Sequence, residues 1–236
     1  MPTDGSLRLR PAEPDESDAL AALYGRTRRA SEPAMPPAMH TAEEDQAWFA
    51  ARLGDGEHEA WVAEDDGGLL GYALVTATWL DHLFVDPSRQ SAGVGTALLD
   101  VVMGVRPDGF CLWVFESNVR ARAFYARHGL VELERTDGSG NEERAPDVKL
   151  AWPGRDPVAF YRGLIDDVDA GLAELLARRA ALTRAVQQVK GATDRDAARE
   201  REIVERMARV APELGADRLA RIVHAIITES LDAARY

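Results

Sequence analysis

The sequence predicts a mixed α/β domain followed by an all-α domain of three helices. Residues 1–152 alternate helical patterns with short apolar and β-branched runs, as a layered α/β architecture does. Only helical patterns follow the Pro- and Gly-containing linker at 153–157. The net charge changes at nearly the same place. Residues 1–154 carry 14 Lys and Arg against 26 Asp and Glu, whereas residues 155–236 carry 14 basic and 14 acidic residues. We therefore expect domains at 1–152 and 158–236.

The elements of the first domain follow from local patterns. Helices are expected at 15–29, 41–53, 93–103 and 118–128, and strands at 6–10, 59–63, 69–78, 80–85, 110–115, 130–134 and 148–152. The second helix starts with Thr41 three residues before Glu44, which is the spacing of a capping box. The strands are apolar runs that turn residues separate, such as the Asp-Asp-Gly-Gly turn after the second strand.

Three helices are expected in the second domain, at about 158–190, 196–210 and 217–234. The apolar positions of the first of these helices step by three and four in alternation. We call them the apolar seam, which consists of Ile165, Val168, Leu172, Leu175, Leu182, Val186 and Val189. Arg179 occupies the slot between Leu175 and Leu182, where the periodicity predicts another apolar side chain.

An arginine in an apolar seam is costly unless an anion meets it. Lys190 lies eleven residues further along, which is about three helical turns, so the two cations share a face roughly 16 Å apart. The pattern indicates a small polyanion bound among the helices. Two other interpretations stay open: Arg179 forms an internal ion pair with Glu200, or Asp196 caps the second helix and pairs with a neighbouring arginine.

Composition disfavours several classes of function. The acidic first domain would repel the phosphates of nucleic acids and of anionic membranes. Residues 1–17 lack the apolar core of a secretory signal, and no apolar run approaches the roughly 20 residues that span a bilayer. Cys111 is the single cysteine, so we expect no internal disulfide and a cytoplasmic location. We also expect no metal site.

A glycine-containing segment, here called the cofactor loop (Gln90–Thr96), follows the strand at 80–85 and precedes a helix. Backbone N–H groups at a helix start lack partners and point toward an anion. Glycines at 93 and 95 allow a pyrophosphate to approach the backbone closely. By itself the pattern is equally compatible with a simple turn.

Residues further along the chain make the pattern specific. With Asn118, the Phe124-Tyr125 pair and Gly129, the cofactor loop resembles the GNAT superfamily of acyl-CoA-dependent N-acyltransferases. The hallmark of that superfamily is (Gln/Arg)-x-x-Gly-x-(Gly/Ala) after the fourth strand, then Asn and Phe-Tyr-x-x-x-Gly. The resemblance covers nearly all of residues 5–152. It implies a mixed, mostly antiparallel sheet with flanking helices, acetyl-CoA as cosubstrate and an amine as acceptor.

The same resemblance implies roles for individual residues. Phe84 and Val85 would offer backbone groups to the pantetheine arm, and Asn118 would orient the cofactor. Tyr125 would protonate the departing CoA thiolate, the alternative being a core tyrosine packed under the sheet. The pyrophosphate would be held by the backbone amides of the cofactor loop, at Gln90, Gly93, Val94, Gly95 and Thr96.

The attacking amine must lose a proton, which requires a general base or a chain of water molecules. Asp81, His82 and Glu116 lie near strand ends on either side of the cofactor loop. Each of the three could serve as the base, and each could be an ordinary surface or strand-end group. The residues leave this choice open, and they do not identify the acceptor amine.

The second domain resembles the all-helical chorismate mutase family. The first helix of that family reads Arg-x-x-Ile-Asp-x-x-Asp-x-x-(Leu/Ile)-x-x-Leu-Leu-x-x-Arg-x-x-Leu and is followed by Lys. The second helix carries Asp-x-x-Arg-Glu, and the third carries Ile-Ile-x-x-Ser. This chain has RGLIDDVDAGLAELLARRAAL from Arg162, then Lys190, RDAARE from Arg195 and IITES from Ile226. The resemblance spans about 160–232 and implies the rearrangement of chorismate to prephenate.

Roles carry over residue by residue. Arg162 and Arg179 would bind the two carboxylates of chorismate. Lys190 would contact a carboxylate and the ether oxygen, and Glu200 would accept from the ring hydroxyl. The remaining pocket residues would be Asp196, Arg199 and Ser230.

Arg162 precedes Arg179 by seventeen residues, which is about 25 Å along the helix axis and some 100° around it. Arg162 therefore cannot reach the same small ligand on its own helix, and if it is functional it must serve a site in a second copy of the chain. This agrees with the intertwined homodimer of the family. The rearrangement moves no proton, so cations and hydrogen-bond donors that stabilise charge on the ether oxygen are sufficient and no metal is needed.

One position departs from the family pattern. Ala234 stands four residues after Ser230, where the family has a Gln or Glu that donates to the ether oxygen. Loss of one such donor costs about a hundredfold or more in rate. We expect a bifunctional enzyme of shikimate-derived metabolism. The alternatives are that the helical domain is a weakly catalytic or non-catalytic module that senses a ligand and dimerises the chain, or that it acts on aminodeoxychorismate or isochorismate.

Overall fold

The structure is a computed structural model that describes residues 6–190 and 195–234. The chain divides into two compact units, Met1–Tyr161 and Arg162–Tyr236. The division falls inside a long helix, a few residues after the expected linker at 153–157. The domain bounds 1–152 and 158–236 stay a prediction.

The strands of the first unit form two antiparallel sheets. The first sheet has the order β1 (Arg8–Pro11), β2 (Glu59–Asp65), β3 (Gly68–Val75) and β4 (Leu80–Val85). The second has the order β5 (Phe110–Phe115), β7 (Asp147–Trp152) and β6 (Val131–Thr136). A parallel bridge pairs Trp79 with Cys111, whose amide donates to the Thr78 carbonyl over 2.9 Å. The expected antiparallel architecture is confirmed. The two sheets separate between β4 and β5, and we call this gap the β4–β5 split.

Helices of the first unit are α1 (Ser17–Ala30), α2 (Ala42–Gly54), α3 (Val94–Val105) and α4 (Val119–Arg127). The predicted capping box starts α2, since the Glu44 amide donates to Thr41 Oγ1 over 3.2 Å and the Thr41 amide donates to Glu44 Oε2 over 2.8 Å. Such caps are local in the chain, which is why the helix starts agree closely with the sequence patterns.

Alternating side chains place apolar groups on both faces of the first sheet. Val62 and Tyr72 are buried on one face with Phe49 of α2, whereas Ala73 is buried on the other with Leu98 of α3. Helices α1 and α2 therefore cover one face and α3 the other. This packing holds β4 firmly beside the split.

The second unit is helical and consists of most of α5 (Pro157–Lys190), α6 (Ala197–Val210) and α7 (Ala216–Asp232). Helix α7 packs against α6 and buries Leu219, Val223 and Ile227. By contrast, α5 contains no buried residue in the part of the chain that the structure describes. Across residues 6–190 and 195–234, no helix is both long enough and apolar enough to cross a membrane.

Candidate functional sites

The cofactor loop joins β4 to α3 in a conformation that exposes backbone amides. Gly93 has φ of 84° and precedes the first residue of α3, a left-handed conformation that glycine adopts without strain. The first backbone hydrogen bond at this helix start runs from Ala97 N to Gly93 O over 3.0 Å. The amides of Val94, Gly95 and Thr96 precede it, so they are available to an anion.

Two side chains of α4 and its C-terminus brace the cofactor loop. Arg120 donates to Gln90 Oε1 over 2.5 Å and to Ser91 Oγ over 3.0 Å. His128 Nδ1 lies 2.8 Å from the Phe124 carbonyl, so this nitrogen is the donor, and Nε2 accepts from Thr96 Oγ1 over 3.2 Å. The sequence alone does not indicate these roles of Arg120 and His128, because no local spacing connects them to a loop about 30 residues away.

A cavity of about 670 Å³ lies between β4 and β5, which is a typical size for a small-molecule site. Its wall includes Asp81, His82 and Phe84 from the first sheet, and Asn118 and Tyr125 from the other side of the split. The structure therefore brings together Phe84, Asn118 and Tyr125 with two of the three candidate bases, whereas Val85 and the cofactor loop are not part of this wall. Glu116 is not among the residues that line the cavity.

Asn118 and Tyr125 face the same cavity with different polar groups. The side-chain oxygen of Asn118 caps α4 by accepting from Ala121 N over 3.1 Å, which leaves its NH₂ group as a donor for a ligand. Tyr125 is only 8% exposed. Burial raises the pKa of the Tyr125 hydroxyl well above its ordinary value, so the group carries its proton at physiological pH. A protonated hydroxyl is the form that a general acid needs.

His82 is enclosed by aromatic rings on the α1–α2 face of the sheet. Its ring stacks on Tyr24 at 5.2 Å and on Trp48 at 4.9 Å between centroids, and its Nδ1 lies 2.9 Å from the Tyr72 hydroxyl. Burial, together with the nearby charges of Arg28 and His58, lowers the pKa of His82 to about 3. His82 is therefore a neutral, weakly basic ring at physiological pH.

The other two candidate bases differ in surroundings. Burial raises the pKa of the Asp81 carboxyl, against the opposing charges of His58 and Arg52. His58 Nε2 lies 3.5 Å from Asp81 Oδ2. Glu116 is an exposed strand-end carboxylate whose Oε1 lies 2.6 Å from Arg135 Nη1. Of the three groups, Asp81 alone combines a place on the cavity wall with an environment that favours proton uptake.

Arg179 of the helical unit meets hydroxyl and carbonyl oxygens of α7. Its Nη1 donates to the Ile226 carbonyl over 3.2 Å and to the buried hydroxyl of Ser230. The interpretation that Arg179 pairs internally with Glu200 is wrong, because the guanidinium lies against α7 and Glu200 has another partner. The charge of Arg179 is therefore not neutralised by that carboxylate.

Glu200 is paired with Arg195, which precedes it by five residues. The two side chains form a bidentate pair with N–O distances of 2.8 and 2.9 Å. Arg195 also donates to Thr228 Oγ1 over 2.9 Å, and its Nη2 lies 3.0 Å from His224 Nδ1. The hydrogen bonds from Arg195 lower the pKa of Glu200, which is therefore an ionised acceptor at neutral pH. This role of Arg195 was not predicted from the sequence.

The side chains of Asp196 and Arg199 form hydrogen bonds with different partners. Asp196 caps α6 by accepting from the amides of Ala198 and Arg199 at 3.0 Å each. The alternative in which Asp196 also pairs with Arg199 or Arg195 is wrong, because Arg199 donates to Glu202 over 2.8 Å and Arg195 donates to Glu200 over 2.8 Å. The predicted cap itself is confirmed.

The remaining predicted residues of the second unit lie exposed on α5. Arg162 and Lys190 are both exposed side chains near opposite ends of this continuous helix. Seventeen residues separate Arg162 from Arg179, which is about 25 Å of helix. The apolar seam is exposed as well, and Leu175 at 64% and Leu182 at 61% flank Arg179. One copy of the chain thus leaves these cations apart.

Two family models match this chain. Residues 56–132 match the acetyltransferase (GNAT) domain, and residues 161–235 match chorismate mutase type II.

Several curated N-acetyltransferases are similar to the chain. It is 30% identical over 98 residues to peptidyl-lysine N-acetyltransferase YjaB of Salmonella typhimurium, covering 41% of this chain and 67% of that protein. It is 29% identical over 200 residues to mycothiol acetyltransferase of Kineococcus radiotolerans, covering 70% of this chain and 63% of that protein.

Solved structures show the same fold at lower identity. Apo YjaB from Escherichia coli superposes with a TM-score of 0.51 at 24% identity, covering 63% of this chain and 99% of that one. A GCN5-related N-acetyltransferase from Rhodopseudomonas palustris superposes with a TM-score of 0.53 at 23% identity, covering 63% of this chain and 96% of that one.

Proposed function

This chain belongs to the GNAT acetyltransferase family and carries a chorismate mutase type II domain, and from this premise we propose that it is a bifunctional enzyme. The first unit transfers an acetyl group from acetyl-CoA to an amine, and the helical unit rearranges chorismate to prephenate. One observation supports the first activity: the cofactor loop, with its open amides, follows β4, and the protonated Tyr125 hydroxyl belongs to the wall of the cavity between β4 and β5.

Binding in the first unit uses backbone groups. The amides of Val94, Gly95 and Thr96 hold the pyrophosphate at the start of α3. Phe84 and Val85 at the end of β4 offer backbone groups to the pantetheine arm, because the split from β5 leaves the outer edge of β4 free there. Acetyl-CoA supplies the activated acyl group.

Asp81 is the proposed general base for the acceptor amine. It lines the cavity, and the environments of His82 and Glu116 make both weaker choices. Asp81 takes a proton from the amine, and His58 at 3.5 Å offers a route onward to Asp55, whose Oδ2 lies 2.7 Å from His58 Nδ1. Tyr125 then gives its proton to the departing thiolate.

The helical unit is proposed to act as a homodimer. Its apolar seam is exposed over the length of α5, and each leucine of the seam contributes about 1.5–3 kcal/mol when fully buried. A second copy on this face covers the seam and brings its own Arg162 toward Arg179. The resulting site has cations for two carboxylates, which holds the substrate in a compact conformer.

A non-catalytic role for the helical unit is the second candidate. Ala234 cannot donate to the ether oxygen, and Glu200 is already engaged by Arg195. Both features reduce stabilisation of the transition state more than they reduce binding of a dicarboxylate. A unit of this kind binds chorismate and turns it over slowly or not at all.

Two assays on the full chain test these proposals. Acetyl-CoA is expected to raise the melting temperature, and chorismate is expected to disappear with formation of prephenate. Arg179→Ala is expected to lower turnover by about 10²–10³-fold, whereas the exposed neighbour in Arg178→Ala serves as the matched control. Chorismate binding without turnover favours the second candidate, and the absence of chorismate binding contradicts both.

A further inference from the structure

Arg28 is a buried cation at the wall of the β4–β5 cavity. It lies in the last turn of α1, and its side chain is 5% exposed. The guanidinium carbon lies 5.9 Å from the centre of the Tyr24 ring and 5.8 Å from that of Phe115. Burial of a charged group is unfavourable unless its N–H groups find acceptors. The hydrogen-bond partners of Arg28 therefore show whether all the N–H groups of this buried cation have acceptors.

The hydrogen bonds of Arg28 are concentrated on one nitrogen. Nη2 donates to the carbonyls of Pro36 and Pro37 over 3.2 and 3.4 Å, and to Glu143 Oε1 over 3.2 Å. Nε is buried without a partner among the described residues. Three acceptors at long distances crowd Nη2 while another nitrogen has none, which is a poor arrangement for a purely structural clamp. The guanidinium therefore has unused hydrogen-bonding capacity, and Arg28 is among the residues that line the cavity.

The surrounding wall fits one kind of acceptor. Tyr24, Phe84 and Phe115 give this part of the cavity flat apolar surfaces. Asp81 and Glu143 are carboxylates on the same wall, so an ammonium group is also accommodated. A carboxylate on the acceptor would add an anionic partner for the guanidinium beside Glu143, whose Oε1 lies 3.2 Å from Arg28 Nη2.

We propose that the acceptor is a free α-amino acid with an apolar or aromatic side chain, and that Arg28 binds its carboxylate. The proposal rests on the acetyl transfer proposed above. In the reaction, the amine nitrogen forms a bond to the acyl carbon and the carbon–sulfur bond breaks. The amine proton leaves to the base and the thiolate takes a proton, so an N-acetyl amino acid and CoA are the products.

Matched pairs of substrates test the proposal with the full chain. Phenylalanine, tyrosine, leucine and methionine are each compared with their carboxamides, with acetyl-CoA as donor and CoA release as readout. Loss of a charge-assisted hydrogen bond predicts that kcat/KM is about 10–100-fold higher for the acid of the preferred pair. The amine of the carboxamide is less basic, so a larger fraction of it is unprotonated and reactive at neutral pH. Amine basicity therefore favours the carboxamide, and a preference for the acid cannot be explained by it.

Two variants separate carboxylate recognition from a structural role. Arg28→Gln is expected to reduce the preference for the acid to within about threefold, while the exposed neighbour in Arg29→Gln keeps the preference of the unchanged chain. A purely structural Arg28 would lower activity on acid and carboxamide equally. The thermal shift with acetyl-CoA reports whether each variant is folded. If Arg28→Gln does not fold, the comparison of acids with carboxamides in the unchanged chain still tests the proposal.

The outcomes distinguish this proposal from the one on which it rests. Equal activity on acids and carboxamides, or acetylation of a lysine-containing peptide in preference to every free amino acid, overturns the proposal and leaves acetyl transfer standing. If none of these amines is acetylated, the proposal of an amino-acid acceptor is also overturned. If, in addition, acetyl-CoA does not shift the melting temperature, the proposal of acetyl transfer is overturned as well.

Discussion

The two units of this chain bury their apolar residues in opposite ways. In the α/β unit, helices cover both faces of the β1–β4 sheet, and side chains such as Tyr72 and Leu98 are fully buried within one copy. In the helical unit, α7 is largely buried on one face, whereas α5 leaves its apolar seam exposed. A sheet and its flanking helices can enclose a cavity in a single chain, but three helices with one of 34 residues cannot bury so long a seam.

The candidate sites follow the same contrast. The cavity at the β4–β5 split already contains the proposed base and acid of the acetyl transfer. The cations of α5 lie far apart along one helix and converge only if a second copy is present. The site proposed for acetyl transfer therefore needs only the fold of one chain, whereas the site proposed for the rearrangement also needs a second copy.

The largest effect is expected from a substitution in the apolar seam that weakens the proposed dimer. Leu175→Asp removes an apolar contact worth about 2 kcal/mol or more and places a charge at the proposed dimer contact, so the dissociation constant is expected to rise at least about 100-fold. Sedimentation measures the oligomeric state, and chorismate turnover is expected to fall with it while acetyl transfer is retained. The control is Ala173→Asp, which lies on the opposite side of the helix. A dimer that persists in Leu175→Asp contradicts the proposed contact.

A second prediction sharpens the description of the α/β unit. Asp81→Asn is expected to lower kcat/KM for the amine by about 100-fold, which is the lower range for a general base. Asp81 must be ionised to accept a proton, and burial raises its pKa. Activity of the unchanged chain therefore falls as pH drops through that raised pKa, and this limb of the profile is lost in the variant.

His82→Gln is the matched comparison for Asp81→Asn, since His82, with a pKa of about 3, stays neutral throughout the pH range measured. Its profile is expected to keep the acid limb. If the limb disappears in His82→Gln and remains in Asp81→Asn, the assignment of the base is wrong.

The smallest effect is expected at the bracing of the cofactor loop. Arg120→Ala removes the two hydrogen bonds to Gln90 and Ser91. Both are exposed, so KM for acetyl-CoA is expected to rise about 3–10-fold with kcat nearly unchanged. Arg127→Ala on the same helix is the control. An unchanged KM for acetyl-CoA in Arg120→Ala means that the loop holds its conformation without this contact.

Much of the architecture was predictable because its causes are local. The start of α2 follows from a capping box whose two side chains, Thr41 and Glu44, are three positions apart, and the start of α6 follows from the Asp196 cap. The cofactor loop was predictable for the same reason, since the glycine at 93 and the helix after it are neighbours in the chain. Both units and their family resemblance could therefore be identified from residue spacing.

By itself, the sequence determined the order of elements, the caps, the cofactor loop and the unusual arginine in the apolar seam. Tertiary structure decided which charges meet. Arg28 and Glu143 form an ion pair although 115 positions separate them in the sequence. Glu200 pairs with Arg195, and Arg179 forms a hydrogen bond with Ser230 of α7 instead. The physical reason is range: caps and periodicity act within a turn or two of chain, whereas the partner of a charged side chain depends on which distant elements pack beside it.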